Sequence, residues 1–278
     1  MRWRVVRMGL STLLGPTPKG FFIPYRYAAG LPPAGQRRPY ETLGPYFAAA
    51  EAAFAWHLDT IDRYADDLDR IGGAPPPAPR FDQDWYPSLD AAAAYALIRD
   101  RRPARIVEVG SGHSTRFYAR AVADEGLDCR ILAIDPAPRA SLDGLAIEFR
   151  RESLSAAGLA PFRELGSGDV VAVDSSHILM PGSDVDDILN RILPALPAGV
   201  LVHFHDVFLP DDYPESWAWR GYNEQTALGA LFAGGGWELV FASHYVATRM
   251  SAALAESAVS RLAKVPGAHV TSLWLAKR

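Results

Sequence analysis

The chain has 278 residues and a net charge of −4, and 49% of its residues are apolar and 22% charged. This composition is that of a folded globular protein, and it excludes a disordered or fibrous chain. The single cysteine, Cys129, excludes an internal disulfide and a cysteine-rich zinc site, so a reducing, cytoplasmic compartment suits the chain.

The charge is distributed unevenly along the chain. Residues 1–40, the basic arm, hold seven basic residues and no acidic one, so residues 41–278 carry −11. An acidic body argues against nucleic-acid binding, which needs clustered cations on the domain itself. No stretch approaches the roughly 18 apolar residues of a membrane span. The weakly amphipathic start of the arm leaves an interfacial helix open as an alternative.

The second part of the arm, residues 15–40, is rich in proline and aromatic residues. Its six prolines, between residues 15 and 40, forbid a long helix or a central strand and predict a loop. The aromatic side chains of this loop either pin it to the body or cover a pocket. Apolar residues spaced by three and four predict an amphipathic helix over 54–68, and GGAPPPAP at 72–79 predicts a stiff linker. We therefore divide the chain into an extension, residues 1–79, and a main domain, residues 80–278.

After a helix predicted at 89–99, strands and helices alternate along the main domain. Apolar, mostly β-branched runs predict seven strands, at 105–109, 131–134, 147–149, 170–173, 199–204, 237–241 and 269–275. Buried strands that alternate with helices are typical of an α/β fold with a parallel sheet covered on both faces. Ligands of such sheets bind at the carboxyl ends of the strands. Candidate functional residues should therefore follow the strands directly.

The first two strand ends predict an adenosine site. Gly110 and Gly112 allow a sharp turn and close approach of a ligand, and the next helix offers its free N–H groups. Asp135 ends the second strand, where a carboxylate can accept hydrogen bonds from both ribose hydroxyls. Thr115 occupies the position of the third glycine in a dinucleotide fingerprint, which disfavours a pyrophosphate.

The order of these elements resembles class I S-adenosylmethionine-dependent methyltransferases over about residues 85–276. The segments 168–177, 182–185 and 197–206, running on to Tyr213-Pro214, resemble more narrowly the bacterial Methyltransf_24-like branch of that class. The resemblance implies a Rossmann-like, seven-stranded sheet of order 3-2-1-4-5-7-6 with the last strand antiparallel. The N-terminal loop and helix are then an extension of that domain.

The resemblance also implies S-adenosylmethionine as the cofactor. The methionine end would lie near the first strand end, the ribose on Asp135, and the adenine beside the third strand end. Tyr86-Pro87-Ser88 could close over the cofactor or cap the next helix. The implied cofactor residues are Glu108, Gly110, Ser111, Gly112, Asp135, Glu152, Ser153 and Asp174.

Two catalytic arrangements are open at the fourth and fifth strand ends, where Asp174, His177, His205 and Asp206 should converge. Divalent-metal O-methyltransferases of the same superfamily imply a metal on Asp174, His205 and Asp206, and an imidazole ligand favours Mn, Fe or Zn over Mg. In the metal-free alternative, His177 or His205 is the general base for a substrate hydroxyl, and Asp206 orients it.

The sequence therefore predicts a methyltransferase that methylates a hydroxyl of a small-molecule acceptor by in-line transfer. Aromatic residues between 208 and 222 form either a packed flap or the acceptor site. An NAD-type oxidoreductase is an alternative, although little chain follows the sixth strand to build a substrate domain. A non-catalytic S-adenosylmethionine-binding protein is the other alternative. A homodimer is left open.

Overall fold

The computed structural model describes residues 2–15 and 17–278, and a seven-stranded sheet forms its centre. The strand order is β3-β2-β1-β4-β5-β7-β6. Strand β7 is antiparallel to both of its neighbours, and the other neighbouring strands pair in parallel. The order and the antiparallel last strand confirm the sheet that the resemblance implies. The strands are β1 Arg105–Val109, β2 Arg130–Ile134, β3 Glu148–Arg150, β4 Val170–Val173, β5 Leu201–Phe204, β6 Trp237–Ala242 and β7 Leu273–Lys277.

Helices cover the sheet, and the alanine-rich helix α5 is almost entirely buried in the core. In chain order the helices are α1 Arg2–Leu14, α2 Gly44–Ala49, α3 Glu51–Arg63, α4 Ala65–Asp69, α5 Ser88–Arg101, α6 His113–Glu125, α7 Leu154–Ala157, α8 Ala160–Arg163, α9 Asp184–Asp187, α10 Gln225–Ala233, α11 Ser243–Arg249 and α12 Ser251–Glu256. Among the described residues, no helix is long and apolar enough to cross a bilayer.

The last strand begins four residues later than predicted, because the chain before it has another partner. The backbone N–H groups of Thr271 and Ser272 donate to the buried carboxylate of Asp90 in α5, at distances between 2.9 and 3.1 Å. Those donors are therefore not available for pairing with a neighbouring strand. The sheet ladder starts only at Leu273.

The amphipathic helix predicted at 54–68 is two helices, α3 and α4, which meet at Tyr64. Phe54, Leu58 and Ile61 on α3 are buried in the same hydrophobic core as the sheet, and α3 packs against α5 and β6. The division between residues 79 and 80 stays a prediction, although the elements on its two sides share one core.

Among the described residues, the hydrogen bonds and ion pairs between the basic arm and the body come from the end of the arm. Arg37 pairs with Asp212 at 3.4 Å, and the Tyr40 N–H donates to the carbonyl of Pro210 at 2.7 Å. The aromatic side chains between Phe21 and Tyr27 are exposed, and none of them lines the large cavity of the body. The sequence suggests that these aromatic side chains either pin the loop to the body or cover a pocket. The structure shows them doing neither.

Candidate active site

A cavity of about 550 Å³ opens at the carboxyl ends of β1, β2, β4 and β5. Its volume lies within the range of about 300 to 1,000 Å³ that is usual for small-molecule sites. One part of its wall comes from the glycine loop after β1 and from Asp135 after β2. The other part comes from Asp174, His177, His205 and Asp206 after β4 and β5. The cavity therefore joins the two groups of residues that the sequence singles out.

The glycine loop can form only with glycine at its first position. Gly110 has a φ of +83°, and a Cβ there would lie 1.8 Å from the backbone oxygen of Asp174. The next residue, Ser111, donates to Asp135 Oδ2 through its N–H at 2.8 Å and its hydroxyl at 3.1 Å. The Ala137 N–H donates to Asp135 Oδ1 at 2.7 Å. These donors hold the Asp135 carboxylate at the cavity wall and leave Oδ1 a further acceptor position.

Glu108 lies beneath the glycine loop, and it is not among the residues that line the cavity. The hydroxyls of Ser114 and Thr115 donate to its carboxylate at 2.5 and 2.6 Å, and the Gly112 N–H donates to Thr115 Oγ1 at 2.9 Å. Burial raises the pKa of Glu108 to about 8, although the two hydroxyl hydrogen bonds oppose this rise. The position implied by the resemblance, beside the cofactor, thus differs from the one observed: Glu108 connects β1 to the first turn of α6.

The third strand end contributes one of its two predicted residues to the cavity. Ser153 lines the cavity and its hydroxyl accepts from the Ala156 N–H at the start of α7. Glu152, the preceding residue, is outside the cavity lining.

His177 is the centre of the polar cluster after β4. Its Nε2 lies 3.2 Å from Asp174 Oδ1 and 3.4 Å from Asp206 Oδ2, and its Nδ1 lies 2.9 Å from Glu224 Oε2. One ligand atom each of Asp174, His177 and Asp206 can be chosen within 4.8 Å of the others, which is close enough to hold one metal ion. His205, the remaining residue that the sequence predicts in this cluster, lies beside these three residues.

His205 is held from behind by a carboxylate that the sequence analysis did not identify. Its Nε2 lies 3.3 Å from Asp90 Oδ2, and its Nδ1 lies 3.4 Å from Asp206 Oδ1 and 3.7 Å from Asp174 Oδ1. The compact ligand set in the described chain therefore contains His177 in the place that the sequence analysis assigns to His205. An acid in the apolar stretch LDAAAAYALI was the available signal for Asp90.

The backbone of the cluster is strained at two residues. His177 has a φ of +58° and Asp206 a φ of +60°, in the left-handed region that non-glycine residues rarely adopt. Such conformations cost about 1 to 3 kcal/mol each and concentrate at functional sites. The strain at His177 turns its side chain toward the end of β5, which no periodicity in the sequence predicts.

The carboxylates decide the charge of both imidazoles. Burial by itself lowers the pKa of His177, but the hydrogen bonds with Asp174 and Glu224 raise that pKa well above its usual value. Burial likewise lowers the pKa of His205, and the charges of Asp174 and Asp206 raise it well above its usual value. The surrounding carboxylates therefore favour the protonated form of both imidazoles when no cation is bound.

The aromatic segment between β5 and α10 is both a packed flap and a cavity wall. Phe208 and Tyr213 are buried, whereas Trp217, Arg220 and Tyr222 line the cavity. The Tyr222 ring lies 4.5 Å from the His177 ring, measured between centroids. The segment is also tied to the cluster through its backbone, because the N–H groups of Asn223 and Glu224 donate to the carbonyl of His177 at 3.0 and 3.2 Å.

Trp85 forms part of the cavity wall, whereas the sequence predicts that the neighbouring segment Tyr86-Pro87-Ser88 could close over the cofactor. Trp85 is half-exposed, and the guanidinium of Arg139 lies 4.5 Å from its ring centroid. Tyr86 is instead buried below, with its ring 5.1 Å from that of His205. Helix α5 begins without a side-chain cap, so Ser88 does not cap it.

Comparison with known proteins gives one family match. Residues 107–207 match the family model Methyltransf_24, described as a methyltransferase domain. No curated protein sequence matches the chain.

Several solved structures are similar to the chain at low identity. The methyltransferase PaMTH1 of Podospora anserina, bound to S-adenosylhomocysteine, is 18% identical; the match covers 93% of this chain and 99% of that one, with a TM-score of 0.41. The O-methyltransferase TomG of Streptomyces achromogenes, which is involved in tomaymycin synthesis and was solved with S-adenosylmethionine, is 20% identical over 66% of this chain and 80% of that one, with a TM-score of 0.37. The branched-chain polyamine synthase of Thermus thermophilus is 15% identical over 94% of this chain and 71% of that one, with a TM-score of 0.41.

Similarities this weak do not bear on the activity of the chain. The family match spans the glycine loop, Asp135 and the cluster after β4 and β5. Residues 107–207 are therefore similar to the methyltransferase domain that the Methyltransf_24 model describes, and they lie within a sheet of the class I methyltransferase order.

Proposed function

We propose that the protein transfers a methyl group from S-adenosylmethionine to a hydroxyl oxygen of a small-molecule acceptor. One observation carries this proposal: a single cavity joins a glycine loop and a strand-end carboxylate, suited to an adenosine, to a compact group of two aspartates and a histidine. The first part suits the cofactor, and the second part suits activation of a hydroxyl.

The residues around the glycine loop fit S-adenosylmethionine. Asp135 keeps an acceptor position on Oδ1 for a ribose hydroxyl, and Ser153 lines the part of the cavity proposed for the adenine. Ser175 Oγ and His113 Nδ1 line the same cavity, are buried, and have no hydrogen-bond partner in the described chain. Because buried polar atoms are usually paired, these two atoms are candidates for contacts with the polar groups of the cofactor.

The cluster after β4 and β5 fits a divalent cation. Two carboxylates and one imidazole from neighbouring strand ends offer ligand atoms within 4.8 Å, and oxygen donors suit Mg or Mn while the imidazole favours Mn, Fe or Zn. Glu224 behind His177 has the geometry of the carboxylates that orient metal-bound histidines. Bound there, the cation would lower the pKa of the acceptor hydroxyl, and the sulfonium of S-adenosylmethionine would supply the methyl group.

The side chains of the cluster have distinct proposed tasks. Asp174, His177 and Asp206 hold the cation, and Glu224 fixes the ring and the tautomer of His177. Asp90 holds His205 against Asp206, so His205 is a positioning residue for that carboxylate. Trp217 and Tyr222 exclude water from the acceptor side.

The geometry supports the general-base alternative less well. Both ring nitrogens of His177 face carboxylates, and so do both ring nitrogens of His205. An imidazole that holds its proton this firmly is a poor base at neutral pH. The cation version is therefore the one that we favour.

Titration calorimetry tests the cofactor assignment. We expect S-adenosylhomocysteine to bind and NAD not to bind, because the Thr115 side chain bridges Gly112 and Glu108 where a dinucleotide site has a glycine. Tighter binding of NAD would refute the assignment. Transfer of a labelled methyl group to a panel of phenols and sugars then tests for catalysis, and binding without transfer to any acceptor favours the non-catalytic alternative.

Chelation separates the two catalytic versions. In the cation version, a chelator abolishes transfer and added Mn or Mg restores it, and Asp174→Asn weakens Mn binding. In the base version, transfer is indifferent to the chelator and is lost in His177→Gln. The matched variant Asp184→Asn removes another acid of the cavity wall that lies outside the ligand group, and it should leave Mn binding unchanged.

A further inference from the structure

The exposed apolar surface of the protein is concentrated in the basic arm. Sixteen large hydrophobic side chains are exposed in the described chain, and twelve of them lie between residues 3 and 31. Scattered exposed hydrophobics are normal, whereas a concentration of them marks a binding surface. The methyltransferase site does not use these side chains, because none of them lines its cavity.

Helix α1 presents an apolar stripe to the solvent. Trp3, Val6, Leu10 and Leu13 follow one another at intervals of three, four and three, which places them on one face of the helix. All four are exposed, Trp3 by 79%. A helix that packs on a protein core buries such a stripe, whereas α1 exposes it to solvent.

The chain after α1 covers the polar side of the helix. The Ser11 hydroxyl donates to the carbonyl of Thr17 at 3.1 Å, and the Lys19 N–H donates to Thr12 Oγ1 at 3.0 Å. The segment therefore folds back along Ser11 and Thr12 and leaves the apolar stripe uncovered.

A second exposed group follows in the loop at 21–27. Phe21, Phe22, Ile23, Tyr25 and Tyr27 are all more than half exposed. Aromatic and aliphatic side chains interleaved with Arg are the composition of segments that lie at a membrane–water interface. The seven basic residues of the arm, with no acidic one, add attraction to an anionic surface.

We propose that the basic arm binds the surface of an anionic lipid membrane. Helix α1 lies in the plane of the headgroups with Trp3, Val6, Leu10 and Leu13 directed at the acyl chains, and the aromatic loop at 21–27 inserts beside it. The methyltransferase domain is thereby held at the membrane surface, and its own fold does not depend on this contact.

A second copy of the chain suits the arm less well. The acidic body offers charge, but between residues 34 and 278 its only exposed large hydrophobics are four side chains on separate elements: Tyr46, Trp56, Trp85 and Trp219. The body therefore exposes few large apolar side chains with which the stripe could pair. Pairing of two arms would bury both stripes, but it would bring together two sets of seven cations. An anionic lipid surface satisfies the apolar side chains and the charges together.

Vesicle sedimentation with the full chain tests this proposal. One set of vesicles contains phosphatidylcholine alone, and the other contains phosphatidylcholine and phosphatidylglycerol in equal parts. We expect binding to the anionic vesicles that weakens as salt is added, and much weaker binding to the neutral ones. Replacing Arg4 and Arg7 singly by Gln should weaken binding about fivefold each, which is roughly 1 kcal/mol per cation.

Two tryptophan variants form a matched pair. Trp3→Ser removes an exposed ring from the stripe and should weaken binding, whereas Trp56→Ser removes an exposed ring from α3 and should not. Both should keep the Tm of the wild type, because both side chains lie outside the buried core. No binding, equal binding to the two kinds of vesicle, or equal loss in the two variants would overturn the proposal. Sedimentation equilibrium tests the alternative partner. If the protein is a dimer that Leu10→Ser dissociates, and Leu10→Ser binds vesicles as the wild type does, the stripe contacts a second copy instead.

Discussion

Glu108→Gln is the substitution whose effect on stability can be worked out most directly from the structure. In the folded chain the pKa of Glu108 is raised to about 8 from its ordinary value of 4.5, because the carboxyl is buried. A carboxyl with a raised folded pKa retains its proton in the folded state at a pH where the unfolded chain has released it. The free energy of unfolding is therefore highest below the unfolded pKa and falls as pH rises toward the folded pKa.

The size of the effect follows from the two pKa values. Their difference corresponds to about 5 kcal/mol at a pH above about 8 and to about 3 kcal/mol at neutral pH. Gln has the shape of the neutral acid and can hydrogen-bond to Ser114 and Thr115, but it does not ionise. The variant should match the wild type in acid and become progressively more stable than the wild type as pH rises.

Urea unfolding of both proteins at about pH 5, 7 and 9 measures this difference, and titrations shared by the two proteins cancel in it. Unfolding free energies that change in parallel with pH would refute the reasoning. The affinity for S-adenosylhomocysteine is a second measurement on the same variant. It should stay within a few-fold of the wild type, because Glu108 lies below the loop and outside the cavity.

Three further substitutions test the cavity. Gly110→Ala should destabilise the fold by more than about 3 kcal/mol in urea unfolding, because its Cβ would meet a backbone oxygen at 1.8 Å, whereas Gly112→Ala, with its nearest neighbour at 4.0 Å, should leave stability nearly unchanged. Asp135→Ala should weaken S-adenosylhomocysteine binding in calorimetry by about 1.5 to 3 kcal/mol, the scale for hydrogen bonds to a charged group, and an unchanged affinity would remove the ribose from that carboxylate. Glu224→Gln should weaken Mn binding about 10- to 100-fold in a titration followed by electron paramagnetic resonance, since it removes the charge behind a metal-binding histidine, and equal Mn affinity would separate Glu224 from the cation site.

The sheet was predictable because most of its parallel strands are short apolar runs that end in a recognisable turn; β3, with the sequence Glu-Phe-Arg, is the exception. The runs at 105–109 and 170–173 coincide with β1 and β4. The start of β7 was not predictable, because Asp90 captures the preceding N–H groups from a position about 180 residues away in the chain. A local sequence pattern cannot predict a hydrogen-bond acceptor that is so distant in the chain.

The membership of the polar cluster was predictable, but the orientation of its side chains was not. The carboxyl ends of neighbouring parallel strands meet at one edge, so Asp174 and Asp206 had to approach each other. Which histidine joins them depends on the left-handed backbone at His177 and on the buried carboxylates of Asp90 and Glu224. The contacts of Glu108 were not predictable for a related reason: its carboxylate accepts from Ser114 and Thr115 in the first turn of α6, which no periodicity in the sequence indicates.

In the proposed function, the hydrogen bonds between His177 and the segment at 222–224 would link acceptor selectivity to cation affinity. Tyr222 lies on the His177 ring, Asn223 and Glu224 donate to its carbonyl, and the Leu179 N–H donates to Asn223 Oδ1 at 2.6 Å. The cavity wall proposed for the acceptor and the ring that faces Asp174 and Asp206 are thus joined by direct contacts. Redesign of this wall for a new acceptor would alter the proposed cation site as well, so variants selected for new substrates should also differ in the metal concentration that they require.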